Sequence, residues 1–404
     1  MNNIYYIYNA LLCVLCFSLP FEEYVRAVPN IIVIALILLF PFLKENRLKK
    51  SKIKLFVVLA FFIVYIVLKS LVLKTFIDDL FVLEKLSLAF ILMFLFAPIK
   101  NTKAIEFSFI IAVFLSVLLS ILNIYKYSSS LGEFSFSNGA KINEVLIIER
   151  LYFGFLCVIS FILCLKYIGS QNKFLHGFMV LNGIICFAFV LVVSARIALV
   201  TVVVVISIQI LKRFKKRIAI GLLFLVMLLI TGAFFMNDNL GKRLLHSNDI
   251  YRKTFFEKIA THEPRFLIWS CSYSIFKNDN IFLGSGFKNT ITQLSSCFDN
   301  TIKKERKKDW YLAQKFNTHN QFIDFLLSSG LLGLVLFSYI LYLILKQSNC
   351  NIYDISLFIA LLLFSMVENI FHRQIGAYLF ALIITLISNK HLSTLTGNDQ
   401  NYRK

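Results

Sequence analysis

A chain of 404 residues that is 58% hydrophobic and only 16% charged, with a mean hydropathy of +0.77, falls outside the soluble domains, where about 25% of residues are charged. Its net charge of +20 would point to a nucleic-acid partner, but many of the lysines and arginines sit in short loops between apolar runs, so no nucleic acid is expected. The length accommodates about a dozen spans and one modest extramembrane piece, hence a single membrane domain over 1–404 and no separate soluble enzyme.

In chain order, apolar runs fall near 4–20, 28–43, 55–73, 80–98, 105–124, 149–166, 177–194, 197–212, 218–236, 319–346, 353–370 and 373–389. The fold class expected is therefore an all-α polytopic integral membrane protein with about twelve transmembrane helices. MNNIYYIYNALLCVLCFSLP lacks the basic start and small-residue cleavage site of a signal peptide, so the first helix is expected to stay. The clusters KENRLKKSKIK (44–54), KRFKKR (212–217) and the tail from Asn389 all fall on one side if each run crosses once. By the positive-inside rule that side is cytoplasmic and holds both termini. The pair either side of Arg196, in LVVSARIALV, could instead be one long helix; merging them would misplace KRFKKR, so two are expected.

The one long polar segment, 237–318, then lies outside, as a large, partly helical periplasmic loop between helices nine and ten. It carries 14 Lys/Arg against eight Asp/Glu, read either as a solvated basic surface or as attraction for phosphate-rich partners. Within it, PRFLIWSCSYSIF has apolar residues at near-helical spacing from Phe266 to Phe276, behind Pro264 and Arg265. This predicts a helix on the membrane face. Of eight cysteines, only Cys271 and Cys297 face outside in this topology, where the two could pair. Cys13 and Cys16 lie inside the first apolar run, no wider cysteine, histidine or carboxylate grouping has metal-ligand spacing, and there is no Walker loop or GxGxxG. Chemistry without metal or cofactor is expected.

THNQFIDFLLSSGLLG (318–333) places His319, two amides and Asp324 at the head of an apolar run containing Gly330 and Gly333. Ionisable groups at the mouth of a membrane helix are costly unless they face a wet cavity; the bland alternative is a capped helix end with an interfacial histidine. Arg196, Arg265, Arg150 with Glu149, and Glu368, His372 and Arg373 share the outer face. Any one arginine there reads most simply as a snorkelling anchor. Two together can hold a diphosphate by bidentate bonds, and a histidine beside them can take a proton from a hydroxyl. That combination describes group transfer from a diphosphate-linked donor to an alcohol.

His319-Asn320, nine residues, then Gly330-x-x-Gly333 resembles the signature of the bacterial O-antigen ligase and polymerase superfamily, the Wzy_C-type membrane glycosyltransferases. SAR at Arg196, PRFLIW with NIFLGSGF around Arg265, and VENIFHRQIG near the end are similar too. The resemblance is densest from Ser194 to Gly376. The family's usual threonine pair after the second glycine is absent, since Leu334 and Val335 follow Gly333. The resemblance implies an inner-membrane enzyme that moves a glycan from undecaprenyl diphosphate to an acceptor in the periplasm, without metal and with inversion. Arg196 and Arg265 would hold the donor diphosphate, and His319 would act near the acceptor hydroxyl. Arg150, Asn320, Glu368 and Arg373 join them as substrate-binding candidates by position. A ligase, joining glycan to a sugar of the lipid A core, is favoured by the single large late loop. A polymerase joining lipid-linked repeat units, or a transporter of a lipid-linked anion, are the alternatives; the transporter should show paired broken helices or a repeat, and the sequence displays neither.

Overall fold

Each of the twelve apolar runs folds as a helix in the computed structural model, which describes residues 2–43, 50–131, 143–193, 195–236, 263–278, 281–348 and 350–389. The basic residues 44–49, Ser194, the stretch 237–262 and the tail 390–404, all invoked above, lie outside the described residues. The helices are α1 (Asn2–Ser18), α2 (Ala27–Leu39), α3 (Lys50–Val72), α4 (Phe76–Phe96), α5 (Lys103–Leu131), α6 (Arg150–Tyr167), α7 (Lys173–Val193), α8 (Arg196–Arg213) and α9 (Lys216–Met236). After these come α10 (Pro264–Asn278), α11 (Phe287–Thr301), α12 (Glu305–Gln314), α13 (Gln321–Gln347), α14 (Ile352–Ser365) and α15 (Gln374–Ser388). No strand occurs among the described residues.

Six of them, α1, α3, α5, α6, α7 and α13, are long and apolar enough to cross a membrane, and α2, α14 and α15 are shorter apolar helices. The chain breaks at Ala195, so the runs either side of Arg196 are two helices. The eleventh run ends at Ser365, short of the expected 370, which leaves Glu368 in an irregular turn.

Helices apolar on all sides take the centre. In α15 every residue from Ile375 to Ile387 is buried, and in α6 the same holds from Tyr152 to Cys164. The α15 helix packs on α4, and α6 on α7, α8 and α14. Peripheral helices instead turn large apolar side chains outward: Ile31, Ile34 and Leu38 on α2, Val57 and Phe61 on α3, Phe224 and Leu228 on α9. Exposed apolar area this extensive needs a lipid surround.

The expected continuous tenth run is corrected. Within α13, Gly330 has φ 73° and ψ −175°, a geometry essentially confined to glycine, and the helix is broken there. The segment Ile281–Gly286 fills the gap. Ser285 N and Gly286 N donate to the carbonyls of Leu327 and Ser328 (both 2.9 Å), and Leu331 N donates to Ile281 O (2.8 Å). Tyr65 Oη donates to Ser329 O at 2.6 Å, and the Lys69 ammonium, on α3, donates to Ser328 O. Backbone groups released from a helix at this depth must find such partners, because lipid offers none. Among the described residues a broken helix is thus present where sequence reading found none.

Helix α11 is fastened to the bundle by Asp79, fully buried on α4. One carboxylate oxygen accepts from Phe287 N (2.7 Å) and Lys288 N (3.2 Å), at the start of α11, and the other accepts from Ser70 (3.0 Å) and Thr75 (2.8 Å). An acidic group at a helix N-terminus satisfies its free amides and matches its dipole. Cys271 on α10 and Cys297 on α11 form a disulfide, their Cα atoms 5.9 Å apart.

Candidate active site

Arg150, Arg196 and Arg265 each stand in the first turn of a helix, α6, α8 and α10. That is where acidic residues are usually favoured, because the helix dipole is positive at this end. Three cations there raise the potential further, an arrangement that is stabilised when an anion sits between them. Their close approach has a local cause in Gly154: a Cβ at that position of α6 would lie 2.8 and 2.9 Å from the Cβ atoms of Ala198 and Ala195. Glycine therefore lets α6 meet the start of α8.

The three arginines line one cavity of about 250 Å³ together with His319, Glu263 and Phe316. Arg196 forms an ion pair with Glu263. Arg265 donates from Nη2 to Val367 O at 3.3 Å. Among the described residues, Arg265 Nε and Arg150 Nη1 are buried without a hydrogen-bond partner. Donors left in that state are costly unless a ligand satisfies them.

His319 reaches the cavity from a constrained turn. Its φ of 44° is left-handed, uncommon for a residue with a side chain. Neighbouring groups hold it: His319 N donates to Asn317 Oδ1 (2.9 Å), Trp269 Nε1 to Thr318 O (3.1 Å), and Asn320 N to Asn369 Oδ1 (2.7 Å). The Thr318 hydroxyl lies 3.1 Å from the same Asn369 oxygen, and Asn369 is fully buried. The imidazole Nδ1 is 3.2 Å from Glu368 Oε2. Burial alone would raise the Glu368 carboxyl. The hydrogen bond from His319 and the charges of His319, Arg373 and Arg265 outweigh it and hold the group below the ordinary carboxylate range.

Of the remaining candidates, Asn320 is turned to a structural task. Its Oδ1 caps α13 by accepting from Phe322 N (2.9 Å) and Ile323 N (3.1 Å), and its Nδ2 donates to Met366 O (3.0 Å). Arg373 pairs with Glu149 and lies over the Tyr152 ring, 5.5 Å from its centroid. Neither Asn320, Arg373 nor Glu368 lines the cavity, and Glu368 stands behind His319.

Sequence reading passed over Glu263, Trp269 and Asn369. It also missed the buried pair behind the turn, where His372 Nε2 is 2.9 Å from Asp324 Oδ2. Gln321 donates to that same carboxylate oxygen (3.3 Å) and accepts from Phe371 N (3.2 Å). The signal available was VENIFHRQ, whose asparagine and histidine are three residues apart. Among the described residues no group of three or more His, Cys, Asp or Glu side chains could hold a metal ion.

No curated protein matches the chain. A family model described as "O-Antigen ligase", Wzy_C, matches residues 181–338, a stretch running from α7 through the break in α13 that includes Arg196, Arg265 and His319. Residues 181–338 of this multi-pass chain, under half of its length, are thus similar to the O-antigen ligase family's Wzy_C domain.

Proposed function

We propose that the protein is an O-antigen ligase of the Gram-negative inner membrane, with about twelve spans, both termini cytoplasmic and the arginine-lined cavity open to the periplasm. The observation that carries this reading is the convergence of Arg150, Arg196, Arg265 and His319 on one cavity. Arg196 and Arg265 bind the diphosphate of an undecaprenyl-linked glycan, neutralising the charge that gathers on the leaving group. With Nδ1 bonded to Glu368, His319 has Nε2 left to face an acceptor hydroxyl. It takes the proton of a lipid A-core sugar hydroxyl as that oxygen attacks the anomeric carbon. The bond from that carbon to the diphosphate breaks on the opposite face, the configuration inverts, and undecaprenyl diphosphate departs. These are duties the protein side chains can discharge without a metal ion.

The test is a deletion strain whose lipopolysaccharide is run on a gel, then complemented. Polymer accumulating on the lipid carrier, with bare core, is the expected result. Complementation with Arg265→Ala or Arg196→Ala should leave it unrepaired, each variant slowing transfer about 10²- to 10³-fold. A single repeat unit on the core would identify a polymerase instead. Normal lipopolysaccharide in the deletion strain would overturn both readings.

A further inference from the structure

A second cavity, about 430 Å³, lies between α10 and α11 on the far side from the arginines. Its size is that of an ordinary ligand pocket. It is lined by Ser274, Ser285, Asn289, Thr292, Gln293 and Ser296, with Ile275 as its one aliphatic side chain. No charged group contributes.

Several of the lining protons are already directed into the protein. Thr292 Oγ1 donates to Lys288 O (3.1 Å), Ser296 Oγ to Thr292 O (3.1 Å), and Asn289 Nδ2 to Ser285 O (3.0 Å). A hydroxyl has one proton and two lone pairs, so Thr292 and Ser296 offer the cavity acceptors, while Asn289 keeps its carbonyl oxygen and one N–H. The complementary ligand is uncharged and rich in hydroxyl donors.

The groove is also held in advance of any ligand. The disulfide joins its two helices at Cys297, and Ser285 is fixed by its backbone bond to Leu327 O. Thr290 Oγ1 and Ser328 Oγ lie 2.8 Å apart beneath it. A preformed site loses less ordering entropy on binding.

We propose that this groove is a saccharide subsite, holding neutral sugar residues of a glycan away from the bond being made. The proposal rests on the glycosyl-transfer reading above. Ser274 lies nine residues beyond Arg265, about 14 Å along α10 and two and a half turns round it. A glycan engaging both sites therefore passes around that helix and contributes more than one sugar.

The experiment is saturation-transfer NMR on the full-length protein in nanodiscs, with two probes from the strain itself: repeat-unit oligosaccharide freed by mild acid from its lipid-linked diphosphate, and core oligosaccharide freed by mild acid from lipopolysaccharide lacking O-antigen. Saturable binding of either is expected, and which one binds tells whether the groove serves donor or acceptor. Asn289→Trp and Thr292→Trp fill the groove and should weaken binding at least tenfold, while Arg265→Ala leaves it unchanged. Should either tryptophan variant melt below the parent, Thr292→Val and Ser296→Ala are read in its place, with a two- to fivefold loss expected. Binding of neither probe, or binding unchanged in the groove variants, overturns the proposal. If binding fails while Arg265→Ala still abolishes transfer on the gel, only the groove assignment falls. If Arg265→Ala transfers normally, it is the reaction that was misread.

Discussion

His319 Nδ1 lies 3.2 Å from Glu368 Oε2, and the carboxylate concerned is only 6% exposed. The contact orients the ring and places a negative charge where an imidazolium would form, so its loss should register in chemistry before binding. Glu368→Gln is expected to slow single-turnover transfer about 10²-fold with little change in donor affinity. The Glu368 pKa is depressed in the folded protein, so its contribution to stability is present above the ordinary carboxylate value and is lost as pH falls through the lower, folded value. The melting-point difference between the parent and Glu368→Gln should therefore hold steady at neutral pH and shrink only in acid. A difference that vanishes between pH 8 and pH 6 would contradict the assignment.

Asn369 acts through the backbone on either side of His319. Asn369→Ala leaves the Asn320 amide and the Thr318 hydroxyl without their shared acceptor, which should cost about 1–3 kcal/mol. It should lower kcat while KM for the donor stays within about twofold. Asn369→Asp keeps the accepting oxygen and should recover more activity than the alanine variant. Equal loss in both would mean that the amide donor, or the fold, is what matters.

The two glycines of the signature carry unequal burdens. A Cβ at Gly330 would lie 2.1 Å from the carbonyl oxygen of Phe282, on a left-handed backbone. At Gly333 the obstacles are the Ser329 hydroxyl, 2.0 Å away on a side chain that can rotate, and Ser329 Cβ at 2.7 Å, with no left-handed backbone to add strain. Gly330→Ala should destabilise by at least about 1–3 kcal/mol from backbone strain alone. Gly333→Ala should cost clearly less. Thermal unfolding in detergent, followed by size-exclusion fluorescence, compares them.

Asp79→Ala removes four hydrogen bonds at once, two to the first amides of α11 and two to hydroxyls of the α3–α4 turn. Loss on the order of 3–5 kcal/mol is expected, since a buried carboxylate network is broken beside Lys69. Proteolysis should then open the α10–α12 region before the spans. Cleavage no faster than in the parent would show that other contacts hold those helices.

The sequence made the helices legible because apolar runs of this length have few other fates. Arg196, Arg265 and His319 could be named because ionisable residues stand out against so apolar a background. The break at Gly330 could not be seen, since its partners Lys69 and Tyr65 are 259 and more residues away from the carbonyls they satisfy. Nor does KTFIDD reveal which aspartate matters. Asp78 is exposed and Asp79 buried, a distinction set by the packing of α11 on α4. Asn320 looked like a ligand contact because its place beside His319 says nothing of the free amides at the head of α13. Those amides became its partners.

The bond between Cys271 and Cys297 closes a stretch of 26 residues, and a link of that span adds roughly 3.5 kcal/mol by restricting the unfolded chain. Thiols stay reduced in the cytosol and are oxidised outside it. In the topology proposed above, a newly made copy would acquire this constraint only after export of the segment, and thiol-oxidising machinery would take part in its maturation. Cells deprived of that machinery should accumulate a full-length, membrane-inserted form whose α10–α11 hairpin is fragile, a biogenesis defect written into two side chains that touch none of the arginines.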